Sequence, residues 1–368
     1  MRAVVRNHPL LALLTAALAG AAVVLALWGG TASAPGPRPD AAAATAAASE
    51  TPTAAPTRTP TATASPPREI QPGVACDPAS IVVATAEELT EALAAAQPGD
   101  RIRLAAGTYV GNFVAETSGT ALEPISLCGS AESVLDGDDE SHGYVLHLNG
   151  ASYWQLTGFT ITNGQKGLMA DTTIGSVISN LTVHHIGDEA IHLRKASTDN
   201  TISENTISDT GLRKQKFGEG IYIGSAESNW CDISDCSPDL SDRNLIENNT
   251  ISNTTSESID VKEGTSDGVI RGNSFDGESI VEADSWVDIK GNGWLIEGNT
   301  GSNSLGDGFQ THEILEGWGT DNIFRDNVAE VNGPGFGYSL TPQLRNTVEC
   351  NNTAFGAGEG FTNHACTG

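Results

Sequence analysis

Two tripeptides, Asp260-Val261-Lys262 and Asp288-Ile289-Lys290, each set a carboxylate and an ammonium two residues apart, and they recur after 28 positions. On a β-strand, residues i and i+2 face the same way. Each tripeptide therefore offers an acid and a base on one face. If 28 residues make one turn of a coiled sheet, the two Asp stack with the two Lys beside them. A paired acid and base ladder on one face of a β-helix is where such a fold can keep its chemistry. The plain alternative is a row of surface ion pairs, each worth about 0–1 kcal/mol.

The elements that must position this ladder repeat along the chain. An Asn-centred pattern recurs at Asn180, Asn205, Asn249, Asn273, Asn299, Asn327 and Asn352, in steps of 25, 44, 24, 26, 28 and 25 residues. Between these lie short strands of alternating polarity: 190–194, 220–224, 258–262, 286–290 and 308–312. Self-similarity at this interval marks stacked repeats, none able to bury its apolar side alone. β-branched strands punctuated by Asn and Gly, with no helical period, predict an all-β chain. The architecture expected is a single-stranded, right-handed parallel β-helix of about ten turns. The recurring Asn fits an internal ladder at a tight turn where left-handed backbone is tolerated, and the sequons at Asn180 and Asn248 are read as turn geometry. Thr85-Ala-Glu-Glu88 is a capping-box pattern. It opens a helix with Leu89, Ala92, Leu93 and Ala96 on one face, expected to cap the open amino end of the coil.

The amino-terminal region sets the compartment. Arg2 and Arg6 precede an apolar run from Leu10 to Trp28 and a small-residue exit at Ala32-Ser-Ala34. Residues 1–34 therefore read as a signal peptide or a membrane anchor, with both open. Residues 35–72, rich in Ala, Thr and Pro, read as a disordered linker. Residues 73–368 are the β-helix domain, expected to act as a monomer, secreted or displayed at the cell surface. The six Cys allow fifteen pairings. The simplest joins Cys76–Cys128, Cys231–Cys236 and Cys350–Cys366, the second within an excursion spanning roughly 225–243.

The net charge of −27 excludes a nucleic-acid partner, which needs clustered cations. Cations nonetheless concentrate between Lys166 and Lys290, including Arg194, Lys195, Arg213, Lys214 and Lys216. Such a strip steers a polyanion locally.

Alternation places Ile191 and Leu193 inside and His192 and Arg194 outside. Stacking the strands gives one outward column of His192, Tyr222, Asp260, Asp288 and Gln310. Its neighbour runs Arg194, Gly224, Lys262, Lys290 and His312. Asp188, Glu189, Glu219, Glu257 and Asp284 line the approach. Lys262, Lys290 and Arg194 are the candidate catalytic groups. His192, Tyr222, Gln310 and His312 are candidate substrate contacts, and Asp260, Asp288 and Glu219 candidate Ca²⁺ ligands. A lysine base needs a lowered pKa, which adjacent Asp residues oppose unless a metal claims them. Tyr222, Trp230 and Trp318 are candidate sugar-stacking surfaces, whereas Trp154 and Trp294 are expected to pack against the coil.

The segments Glu87-Glu-Leu89 through Ala92, Gln97-Pro-Gly-Asp100, Leu104-Ala-Ala-Gly-Thr-Tyr109 and Glu123-Pro-Ile-Ser-Leu127 resemble the opening of secreted right-handed β-helix polysaccharide lyases. These are the pectate lyase-like superfamily, with its chondroitinase B-like and alginate lyase group. The later turns match in architecture. The resemblance implies a pectin lyase-like fold and an acidic polysaccharide substrate. It also implies proton removal at C5 of a uronate by a Lys or Arg, with calcium neutralising the carboxylate. A C5-epimerase shares that first step. A polygalacturonase-like hydrolase lacks its Asp-Xaa-Asp and Gly-His-Gly motifs here. A non-catalytic glycan-binding or structural surface protein remains the alternative class.

Overall fold

The computed structural model describes residues 76–368, so the signal or anchor expected at 1–34 and the linker expected at 35–72 lie outside the described residues. Among the described residues, no helix is long and apolar enough to cross a membrane.

The described residues wind as a right-handed parallel β-solenoid of three sheets, with eleven, ten and ten strands. Among the described residues all strand pairs are parallel and in register from turn to turn, with one shift, between Glu330 and Gly333. Inward-facing Ile, Leu, Val and Phe form one continuous core running from Val83 to Val348. Strands of three residues suffice because each is flanked by a paired turn above and below. Trp154 and Trp294 are fully buried in this core, as expected.

Asn205, Asn249, Asn273, Asn299, Asn327 and Asn352 form the expected ladder. Each Oδ1 accepts the backbone N–H of the turn before; Asn273 Oδ1, for example, takes the Asn249 N–H at 2.9 Å. Each Nδ2 closes the loop on a backbone carbonyl, as Asn273 does on Ile246 at 3.0 Å. Buried backbone donors at a turn are satisfied this way without water. The left-handed residue is the one before the ladder, not the ladder Asn itself: Glu204, Asn248 and Asp326 carry positive φ. Asn180 is such a residue, with φ 54°, and Leu181 stands at the ladder position, its N–H donating to Asn205 Oδ1.

A helix spans Ala86–Ala95 and buries Leu89, Ala92 and Leu93. Its N-cap Thr85 accepts the Glu88 N–H at 3.2 Å. Glu88 reaches back one residue further than a standard capping box and accepts the Ala84 N–H at 2.7 Å. The disulfides are Cys76–Cys128, Cys231–Cys236 and Cys350–Cys366. The excursion between the strands Ile221–Ile223 and Leu245–Glu247 holds a short helix, Trp230–Ile233. Asp239, wholly buried, pins it by accepting the N–H groups of Lys195 and Ala196 and the hydroxyls of Ser225 and Ser241. Trp230 is buried and donates to Ser225 O, so it packs the excursion and does not offer a sugar-stacking face.

Candidate active site

The two predicted columns stand side by side on the outer face of one ten-stranded sheet. Strand pairing sets His192 opposite Tyr222, Tyr222 opposite Asp260, Asp260 opposite Asp288, and Asp288 opposite Gln310. Arg194, Lys262, Lys290 and His312 lie two residues further along the same strands. Adjacent strands sit about 4.8 Å apart, which leaves little room for water between long side chains. The outward column is accordingly buried: His192, Asp260, Asp288 and Gln310 are each at most 5% exposed. Tyr222 and Lys262 are half-buried, as are Arg194 and His312 on the same face.

Asp260 is the hub. Its Oδ2 lies 2.5 Å from Lys262 Nζ and its Oδ1 2.7 Å from Lys290 Nζ. Lys290 also reaches Asp288 Oδ2 at 2.7 Å, and Asp288 in turn meets His312 Nδ1 at 2.9 Å. Burial alone pulls the Lys262 ammonium's pKa down, but the Asp260 carboxylate outweighs it and holds the pKa well above the ordinary lysine range. Lys290 behaves likewise, its burial outweighed by Asp260 and Asp288. The lowered pKa that a lysine base needs is therefore absent in this arrangement. Because Lys290 keeps one Asp260 oxygen satisfied, Lys262 can leave Asp260 without stranding a bare buried charge. Burial opposes the Asp288 charge, but Lys290 and His312 outweigh it and hold that carboxyl far below its usual range. The Asp288 hydrogen bond raises His312.

Tyr222 stands between two groups. Its ring meets His192 edge-on at 4.4 Å, and Lys262 Nζ lies 5.1 Å from its centroid. Burial, then the charges of Asp260 and Glu219, push the phenol well above its usual range, so it keeps its proton. His192 donates from Nε2 to Gly224 O at 2.9 Å, and burial pushes its pKa well below the usual value, so it is neutral. Its Nδ1 lacks a hydrogen-bond partner.

A third column flanks these two. Glu219, Glu257 and Asp260 each bring an oxygen within 4.8 Å of the others. Of the expected ligands Asp260, Asp288 and Glu219, this group contains Asp260 and Glu219, whereas Asp288 is paired with Lys290 and His312. Three carboxylates are the right donors for a hard cation such as Ca²⁺. Glu219 Oε2, buried without a partner, adds to the fit. Burial and then the charges of Glu189, Asp260 and Glu257 push Glu219 well above its usual range. Glu257 is raised to about 6, by burial first and Asp260 second. The ligand atoms on Asp260 are shared with the lysines, so a cation there competes directly with Lys262.

Arg194 lies two strands before Lys262 and is tied to Asp171 at 2.6 Å. Lys195 and His147 converge on the same Asp171 at 3.1 and 3.3 Å. Arg194 thus belongs to a separate cluster at the amino-terminal end of the face, with Tyr144 3.3 Å from its guanidinium. Asp171, His147 and Tyr144 escaped the sequence reading; Lys166 and Glu189 were in it, but their pairing was not. The alternation of strand Lys166–Asp171 was the available signal. Gln310 donates to Asp307 at 2.8 Å.

A family model described as a Pel9A-like right-handed β-helix region matches residues 72–216, and one described as a right-handed β-helix region matches residues 237–366. Among solved structures, the alginate lyase from Paenibacillus sp. str. FPU-7 is 34% identical, with a TM-score of 0.72, over 78% of this chain and 99% of that one. Pectate lyase Pel9A is 15% identical, with a TM-score of 0.49, over 72% of each chain. No curated protein sequence matches.

Proposed function

This chain belongs to the right-handed β-helix family of the Paenibacillus alginate lyase, and from that premise we propose that it is an extracytoplasmic, monomeric lyase that cleaves a uronate polymer by β-elimination. The observation that carries the reading is the Tyr222–Lys262 pair, a half-buried phenol with the ammonium 5.1 Å from its ring centroid, beside the Asp260 carboxylate.

Elimination removes the C5 proton, forms the C4=C5 double bond from that electron pair, and expels the C4 glycosidic oxygen. Lys262, swung from Asp260 toward the sugar, takes the C5 proton once its ammonium has lost its own to solvent. Away from Asp260 its pKa falls toward the ordinary range. Tyr222, held protonated, donates to the departing oxygen. His192 packs edge-on against the phenol and fixes its direction. Ca²⁺ held by Glu219, Glu257 and Asp260 would supply counter-charge to the uronate carboxylate.

Tyr222 and Lys262 approach from one face of the sheet, so proton removal and departure of the leaving group occur on one face of the sugar. That is syn elimination. It suits uronates whose C5 hydrogen and C4 oxygen share a ring face, mannuronate and glucuronate, over guluronate and galacturonate, which require the anti course. The test is residues 73–368 incubated with polymannuronate, polyguluronate, pectate and glucuronate-containing polymers, read by the ultraviolet absorbance of the unsaturated product. Absorbance growing fastest on polymannuronate or a glucuronate polymer supports the reading. Silence on every polymer with the fold intact moves the weight to glycan binding.

A further inference from the structure

The strand carrying Tyr222 is preceded by a turn, residues 212–217, that sits among the acidic residues of this chain yet presents unpaired cations. Among the described residues, Lys166, Lys195, Lys262 and Lys290 each have a carboxylate within hydrogen-bonding or ion-pair reach. Lys214 and Lys216 have none within 4.0 Å. Both are exposed, and both gather over one ring, with Nζ 4.2 and 5.4 Å from the Phe217 centroid. Holding two ammoniums together over an aromatic face costs repulsion that an anion relieves.

The turn is also built to hold its shape. Arg213 grips the buried Asp188 with two hydrogen bonds, and Gln165 steadies that Asp188 at 2.9 Å. The N–H groups of Leu212 and Arg213 donate to Ile186 and Gly187 on the turn below. Thr255, on the turn above, donates to Gln215 O at 2.7 Å. Gly211 has φ +75°, and a side chain on it or on Gly218 would collide with the Thr255 hydroxyl. Anchored on both sides, the backbone offers Lys214, Lys216 and Phe217 as a fixed surface. Chain connectivity runs straight from it through Gly218 and Glu219 to Tyr222.

We propose that the 212–217 turn is a docking subsite for the anionic polymer, distinct from the cleavage point: Lys214 and Lys216, seated over Phe217, engage carboxylates of sugars remote from the scissile bond. This rests on the polyuronate reading of the Tyr222 site. In a chain of net charge −27, such a subsite supplies local attraction against a repulsive overall field.

The experiment compares the wild-type chain with Lys214→Glu/Lys216→Glu and with Lys214→Gln/Lys216→Gln. The probes are long polymannuronate and a mannuronate tetramer, with neutral mannan as control. Turnover gives KM and kcat, and affinity electrophoresis in polymer-containing gels gives binding without turnover. The expected result is a KM on the long polymer raised about tenfold by charge reversal, less by the neutral pair, with kcat and tetramer kinetics unchanged. The defect should shrink as salt rises. Unchanged KM and gel retardation in the charge-reversed variant, with the wild type active or bound, overturn the subsite alone. A wild type that neither cleaves nor binds any polyuronate overturns the subsite together with the lyase reading.

Discussion

Lys290 sits between Asp260 and Asp288, its Nζ 2.7 Å from an oxygen of each. It thereby leaves the second Asp260 oxygen to Lys262. One lysine is locked by two carboxylates and the other by one that is shared. This asymmetry marks Lys262 as the movable member and Lys290 as the structural one.

Asp260→Asn should separate those roles. Removing the charge takes away what raises Lys262, so the ascending limb of kcat/KM, where the base loses its proton, shifts to lower pH. Lys290 loses one of its two carboxylates, and breaking a buried pair costs roughly 3–5 kcal/mol. A pH–rate profile together with a urea midpoint checks both. An unshifted limb would exclude Lys262 as the base.

Tyr222→Phe removes the phenolic proton and little volume. Turnover should fall about 10²–10⁴-fold, while retention in polymer-containing gels is kept. Near-normal turnover would assign the leaving-group proton to another donor.

Chelation should lower turnover, and added Ca²⁺ should restore it, if the Glu219–Glu257–Asp260 oxygens hold a cation. The independent readout is a Ca²⁺-dependent rise in unfolding temperature that Glu257→Gln diminishes. Turnover indifferent to chelator would leave carboxylate neutralisation to the lysines.

Glu257 ties stability to pH. Its folded pKa of about 6 exceeds the ordinary 4.5, so between these values the native state binds more protons than the unfolded one. Stability from this group is therefore lost as pH rises across that window, by about 2 kcal/mol. Denaturant unfolding of wild type and Glu257→Gln across pH 4–7 should show the decline reduced in the variant. Parallel curves would mean that Glu257 titrates normally.

Asn273→Ala should break the interior ladder. It takes the acceptor from the Asn249 N–H and the side-chain donor from the Ile246 carbonyl, and leaves Asn249 Nδ2 with its Ile202 bond alone. A cost of about 3 kcal/mol follows, read as a lower denaturant midpoint at constant slope. A loss below about 1 kcal/mol would mean that water replaces the amide.

Much of this was written locally. The Asn interval and the alternation of Ile191-His-Leu-Arg194 specify a coil, because strand parity depends only on neighbouring residues and a repeat must stack to bury its apolar side. The same parity ordered His192, Tyr222, Asp260 and Asp288 into one column and Lys262 and Lys290 into the next. The offset between the ladder Asn and the left-handed residue was not legible, because Asn suits both positions and Asn180 occupies the second.

Alternation also left open how deeply an outward residue is buried and which charge it carries. Those depend on what stacks from other turns. Asp288 is held by Lys290 and His312, and it is Glu257 whose oxygen comes within 4.8 Å of those of Glu219 and Asp260. Arg194 was drawn to Asp171, a residue one turn back. The sequence determined the coil and the order of its outward faces by itself, through two-residue periodicity and a repeat of one turn. Only the tertiary structure decided the pairing, burial and proton affinity of the charged groups, because Coulomb and desolvation energies act through space between turns, across separations in sequence that no local pattern encodes.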